Sequence, residues 1–185
     1  MSGTLRVAVV LLCSLVALPV AAKDVDGTQV PDTLTQDGKT LRLIGGGVRT
    51  KWMFDVYAGA LYAEKPTFNA PNLIKSEQMK RMDLHLLRDV GKEKIIESIR
   101  EGFEKQSKAQ MPALQGRLDQ LAAAVPDLKK GDLLSLTYVP EKGVVMGGVA
   151  KETVIPGKDF ADALFSVWLG PDPVDADLKR KLLGG

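Results

Sequence analysis

Between Met79 and Leu87 apolar and polar side chains alternate, with Met82, Leu84 and Leu86 on one side and Asp83, His85 and Leu87 on the other. That is the period of a half-buried strand. From Gly91 the period changes. Ile95, Ile96, Ile99 and Phe103 recur at helical intervals while Lys92, Glu93, Glu97, Arg100, Glu101 and Lys105 fill the opposite side, so the spacing predicts an amphipathic helix laid over a sheet. Leu114, Leu118, Leu121 and Val125 repeat the stripe over Met111 to Val125, and Pro126 ends it. Two consecutive helices joined by a short link are expected.

Before this helical pair, Thr28 to about Ala63 reads as strands broken by turns at Pro31-Asp32, Gln36-Asp37-Gly38-Lys39 and Gly45-Gly46-Gly47. Asp37-Gly38, set between Leu34-Thr35 and Thr40-Leu41, predicts a hairpin, because Gly accepts the positive φ of a primed turn. After the pair, Leu133 to Val139, Val144 to Met146 and Glu152 to Ile155 predict a three-stranded meander turning at Pro140-Glu141-Lys142-Gly143 and Gly147-Gly148. A third helix begins near Gly157, carries Asp159 in its first turn, buries Phe160, Leu164, Val167 and Trp168, and stops at Gly170-Pro171. Asp175 to Leu183 makes a last short helix whose Lys179, Arg180 and Lys181 suit the negative end of the helix dipole. Separate runs of strands and helices predict α+β: a large antiparallel sheet with helices layered on one face.

The first residues stand apart. Arg6 is the only charge before an apolar run of 14, Val7 to Val20, and Val20-Ala21-Ala22 places small residues before Lys23. This is the layout of a signal peptide over residues 1–22, cleaved after Ala22, leaving one domain over 23–185 and a periplasmic location. A run of 14 falls short of the ~20 residues a membrane-spanning helix needs, and no span is expected after cleavage. Cys13, the only cysteine, would leave with the leader. With 25 Lys+Arg against 23 Asp+Glu the charge is nearly balanced, so no nucleic-acid footprint or polybasic membrane patch follows from composition.

Common catalytic arrangements are short of residues. With His85 as the single histidine and no cysteine after cleavage, zinc sites and histidine-based triads lack their groups, and neither a metal nor a cofactor is expected. His85 is out of phase with its strand's apolar residues and reads as a surface or sheet-face histidine. Gly45-Gly46-Gly47-Val48-Arg49 lacks the Lys-Ser/Thr ending of a phosphate loop and opens no helix. It reads as a flexible bend between strands. Arg49, inside an apolar strand region, needs a partner, because an unpaired buried guanidinium is costly. That partner is either an anionic ligand or a protein carboxylate such as Asp55. Arg49 and Tyr57 are eight apart: on one continuous strand they stand ~26 Å from each other, whereas a chain turning about Met53 makes them cross-strand neighbours.

Gly46-Gly47-Val48-Arg49, Val56-Tyr57-Ala58 with Leu61-Tyr62, the Lys92-Glu93-Lys94 helix start, and Asp159-Phe160 through Trp168-Leu169-Gly170 together resemble bacterial chalcone-isomerase-like proteins, over about Val30 to Gly184. The resemblance implies the open-faced sandwich of plant chalcone isomerases and plastid fatty-acid-binding proteins, with a ligand cleft between sheet and helices. In the plant enzymes an arginine orients a phenolate, and a threonine, a tyrosine, an asparagine and a Ser/Thr complete the cleft. Arg49 matches that arginine. Tyr57, Gly91, Ser98 and Ala161 stand where the other four are expected, so most donors for a developing enolate are missing.

An arginine with a tyrosine in the Val-Tyr-Ala context is similar instead to the fatty-acid-binding relatives, where the pair holds a carboxylate. The resemblance therefore implies a non-catalytic protein binding a fatty acid or similar amphipathic anion, with Arg49 and Tyr57 at the head group, and the leader adds the periplasmic location. Two alternatives stay open: an isomerase of the intramolecular lyase type using Arg49, and a protein-partner role in the envelope. A deep apolar pocket ending at Arg49 favours the first two readings. A cleft filled by Trp52, Trp168 or Phe side chains favours the third.

Overall fold

The structure, a computed structural model, describes residues 21–185. The leader expected over residues 1–22 lies outside them, except for Ala21 and Ala22.

Strands β1 (Ala22–Val25) and β2 (Thr28–Pro31) form a separate hairpin. Then come β3 (Thr33–Gln36), β4 (Lys39–Lys51), β5 (Phe54–Ala63), α1 (Ala70–Lys75), β6 (Lys80–Leu86) and α2 (Lys92–Ser107). A 3-10 turn at Lys108–Gln110 leads into α3 (Met111–Ala124), followed by β7 (Leu133–Val139), β8 (Gly143–Gly148), β9 (Thr153–Ile155), α4 (Lys158–Leu169) and α5 (Ala176–Leu182). Strands β3 to β9 make one seven-stranded sheet in sequence order, each pair antiparallel. The fold is α+β, with the helices gathered over one face of the sheet.

Alternation sorts the two faces. Tyr57 and Leu61 of β5, Met82, Leu84 and Leu86 of β6, and Leu134, Leu136 and Tyr138 of β7 are buried with Ile99, Phe103, Leu114, Leu118, Leu121 and most of α4. Ala58, Ala60 and Tyr62 point the other way and pack with Val25 and Val30 of the β1–β2 hairpin. Helix α4 is apolar nearly all round, burying Phe160, Ala161, Ala163, Leu164, Phe165, Val167, Trp168 and Leu169, as befits a helix enclosed between the sheet and its neighbours. Gly102 brings α2 close to it, because a Cβ there would stand 2.8 Å from Val167 Cγ1. Beside this contact the Phe103 and Phe160 rings lie 5.4 Å apart.

The Asp37-Gly38 turn forms as expected, with Gln36 opposite Lys39 and both turn residues at positive φ. The bend expected at Gly45-Gly46-Gly47 does not form: all three lie inside β4. They are glycines because other chain segments come close on both faces. A Cβ on Gly45 would meet Leu182 O of α5 at 2.9 Å, and one on Gly46 would meet Val25 Cγ2 of β1 at 2.8 Å. Helix α1 was not expected from periodicity, having only six residues. Its signal is at the cap, where Asn69 Oδ1 accepts from the Asn72 N–H at 2.9 Å and Pro71 occupies the first turn.

Candidate functional site

Strands β4 and β5 turn tightly at Trp52-Met53, with Lys51 opposite Phe54 and Thr50 opposite Asp55. A one-residue irregularity then shifts the register so that Arg49 faces Tyr57. Of the two geometries open in the sequence, the cross-strand pair is the one observed. The Arg49 guanidinium carbon lies 5.8 Å from the Tyr57 ring centroid, a cation–π distance.

Both residues line a cavity of ≈ 50 Å³ between the sheet and the helices. Its walls are mostly apolar: Leu84 and Leu86 from β6, Ile95 and Ile99 from α2, Val167 and Trp168 from α4. Polar atoms come from Arg49, Tyr57, Lys94 and Ser98. Trp168 is part of the wall, its Nε1 donating to the Tyr57 hydroxyl at 2.8 Å. Burial raises the Tyr57 pKa above its ordinary value, while Arg49 and Trp168 pull it back. The phenol therefore stays protonated at neutral pH. With Trp168 donating to its oxygen, its own hydrogen is left to give.

A more open groove of ≈ 420 Å³ adjoins the cavity and shares Arg49, Val56, Val90, Lys94 and Ser98 with it. Arg49 thus stands where the enclosed space meets the open one. Among the described residues Arg49 forms no ion pair, and Asp55 instead accepts from Thr50 Oγ1 at 2.9 Å. Asp55 is therefore not the partner of Arg49.

Of the remaining positions aligned by resemblance, Ser98 lines the cavity and Gly91 the groove. Ala161 is buried within α4 and lines neither. Lys94, in the sequence only part of a helix start, also lines the cavity; it sits four residues before Ser98 and flanks the Ile95/Ile99 stripe, a spacing that puts 94 and 98 on one side of a helix. Trp168, expected either in the core or filling the cleft, forms part of the cavity wall. His85 is partly buried on the sheet face away from the helices, its Nε2 without a partner. Among the described residues no group of three or more His, Cys, Asp or Glu could hold a metal ion, and no helix is long and apolar enough to cross a membrane.

The crystal structure of a fatty-acid binding protein from Arabidopsis thaliana superimposes with a TM-score of 0.70 at 14% sequence identity, covering 88% of this chain and 96% of that one. At that identity the likeness is one of fold. No curated protein matches by sequence. The model of the chalcone isomerase-like family matches residues 22–184, from the first strand through the last helix and across every residue of the cavity wall. The chain belongs to the chalcone isomerase-like family.

Proposed function

We propose that the cleft between β4–β6 and helices α2 and α4 binds a fatty acid or an amphipathic anion of like shape without catalysing a reaction on it, and that the protein works in the periplasm. The observation that carries the reading is Arg49, a guanidinium with no carboxylate partner among the described residues, set beside Tyr57 at the junction of an apolar cavity and an open groove. A guanidinium fork matches a carboxylate in shape and stays charged at any physiological pH. The fold shared with a fatty-acid binding protein supports the ligand class. The apolar run Val7 to Val20 with small residues before Lys23 supports export.

Size adds a requirement. Ligand clefts commonly hold about 300 to 1,000 Å³, and the enclosed cavity offers ≈ 50 Å³, so an acyl chain enters only as the walls part. The reading asks this movement of helix α2. Its first half supplies Lys94, Ile95, Ser98 and Ile99 to the lining, while its second half is held against α4 through Gly102–Val167 and Phe103–Phe160. Once inside, a ten-carbon tail contributes about 8 kcal/mol gross at ~0.8 kcal/mol per CH₂. The charged head-group contacts add roughly 1.5 to 3 kcal/mol. The tail sets affinity and Arg49 sets orientation.

Calorimetric titration with a medium-chain fatty acid tests this. Arg49→Ala is expected to weaken binding about tenfold to a hundredfold. Wild-type affinity in that variant ends the head-group assignment.

A further inference from the structure

The β4–β5 hairpin ends in three consecutive large apolar residues outside the core: Trp52, Met53 and Phe54 are 90%, 89% and 57% exposed. They account for three of the six exposed large hydrophobic side chains among the described residues. Trp52 is also held at φ 63. The other non-glycine residues in that region are Asp26, Asp37 and Glu141, and a bulky aromatic ring there is unfavourable. Strain of this kind persists where the surroundings or the function demand it.

Cations surround this tip. Lys51 adjoins Trp52, and the Arg88 guanidinium lies 4.7 Å from the Phe54 ring centroid. With Arg49 farther in, these are three cations that form no ion pair among the described residues. Of the acidic side chains on the same segments, Asp89 accepts from Lys129 at 3.0 Å and Glu97 from Lys94 at 2.8 Å, while Asp55 accepts from the neutral Thr50 hydroxyl at 2.9 Å and leaves one negative charge beside the cations of the tip. Lys51 and Arg88 are far apart in sequence and only the fold brings them together, which is why an almost neutral composition gave no sign of the patch.

We propose that the β4–β5 tip docks on an anionic lipid surface, with Trp52, Met53 and Phe54 seated in the interfacial layer and Lys51 and Arg88 on lipid phosphates. Aromatic rings favour that layer, and basic side chains are drawn to anionic head groups within a Debye length. The groove lined by Trp52, Phe54 and Arg88 runs from the tip to Arg49, so a docked molecule presents its cleft mouth to the leaflet. Docking rests on the hairpin alone. Its use for ligand exchange rests on the fatty-acid reading.

Tryptophan emission provides the test in the full chain, because only Trp52 and Trp168 are present and neither lies in residues 1–22. Trp168 is 3% exposed and serves as an internal reference. Phosphatidylglycerol vesicles with brominated acyl chains are expected to quench and blue-shift Trp52, and phosphatidylcholine vesicles to do so far less. Each basic side chain near an anionic surface is worth about fivefold in partition, so Lys51→Gln with Arg88→Gln is expected to lower partition about twenty-five-fold. Met53→Asp, at the apex, is expected to abolish quenching. Absence of quenching by phosphatidylglycerol overturns the proposal. Quenching unchanged in Met53→Asp also overturns it, since another segment then holds the bilayer, and so does shielding of Trp52 from acrylamide by self-association without lipid. Met53 lines neither space, so fatty-acid titration of Met53→Asp without vesicles keeps the two readings apart: wild-type affinity with lost quenching confirms separate roles, and intact quenching in a protein that binds no fatty acid refutes the cleft reading alone.

Discussion

Trp168 Nε1 donates to the Tyr57 hydroxyl at 2.8 Å in the buried wall of the cavity, tying the last turn of α4 to β5. Tyr57 also lines the cavity with Arg49, so under the fatty-acid reading one residue serves the fold and the site together. Tyr57→Phe strands the indole N–H without an acceptor and is expected to cost about 1 to 3 kcal/mol of stability. Its direct effect on fatty-acid affinity is expected to be smaller than that of Arg49→Ala, and to shrink further in the double variant, where the proposed head-group anchor is gone. Thermal denaturation and calorimetric titration of both single variants and the double variant check this. Additive effects on binding would separate the two residues.

Hydroxychalcone closure is expected to proceed at its spontaneous rate in the presence of the protein. Of the five cleft positions that the resemblance aligns, only Arg49 matches what it implies for the plant enzymes, and Ala161 does not line the cavity. Stabilising a developing enolate takes several positioned donors. Chiral chromatography of the flavanone product is the check, and an enantiomeric excess would revive the isomerase alternative.

Stability should rise with pH between about 7 and 10 through Lys80. This lysine is fully buried, its Nζ donating to Ser76 O at 2.8 Å and lying 4.5 Å from the Tyr138 ring centroid. Burial, aided by Lys158, pulls its pKa down to about 7. Below that pH the side chain is charged both folded and unfolded, and the folded state bears the desolvation. Above it the folded chain gives up a proton that the unfolded chain keeps up to its ordinary value, so stability gains up to about 1.4 kcal/mol per pH unit over the window. Denaturant melts across this range should show the rise in the wild type and a flatter profile in Lys80→Met.

Two glycine replacements should have opposite signs. Gly45→Ala drives a methyl group toward Leu182 O and Gly184 N, at 2.9 and 3.0 Å, and is expected to cost about 1 to 3 kcal/mol as α5 lifts from the sheet. Gly116, in α3, has open space around its Cβ position, and Gly116→Ala is expected to stabilise by about 0.5 to 1 kcal/mol through helix propensity. Melting temperatures of the two variants decide the matter.

Much of this fold was legible because its elements announce themselves locally. The alternation of Met82, Leu84 and Leu86, the stripe from Ile95 to Phe103 and the Asp37-Gly38 turn each carry their own period or turn chemistry. What lay hidden depends on encounters between distant segments. Gly45-Gly46-Gly47 looks like a bend until α5 and β1 are seen pressing on its two faces. The Arg49–Tyr57 pairing hangs on a turn in which Trp52 takes a left-handed conformation that no residue preference foretells. Helices α2 and α4 meet closely at Gly102 and Val167, a property of packing with no signature in either helix alone.

That glycine run also makes strand β4 the seam of the molecule. Val25 reaches it from one side and the backbone of α5 from the other, so the first described strand and the last helix are fastened to one stretch of chain a few residues upstream of Arg49. Neither α3 nor the β7–β8 turn comes within reach of these glycines. Changes at either end of the described chain fall on the seam itself, and are expected to be felt first as a loosening of the arm that carries the arginine.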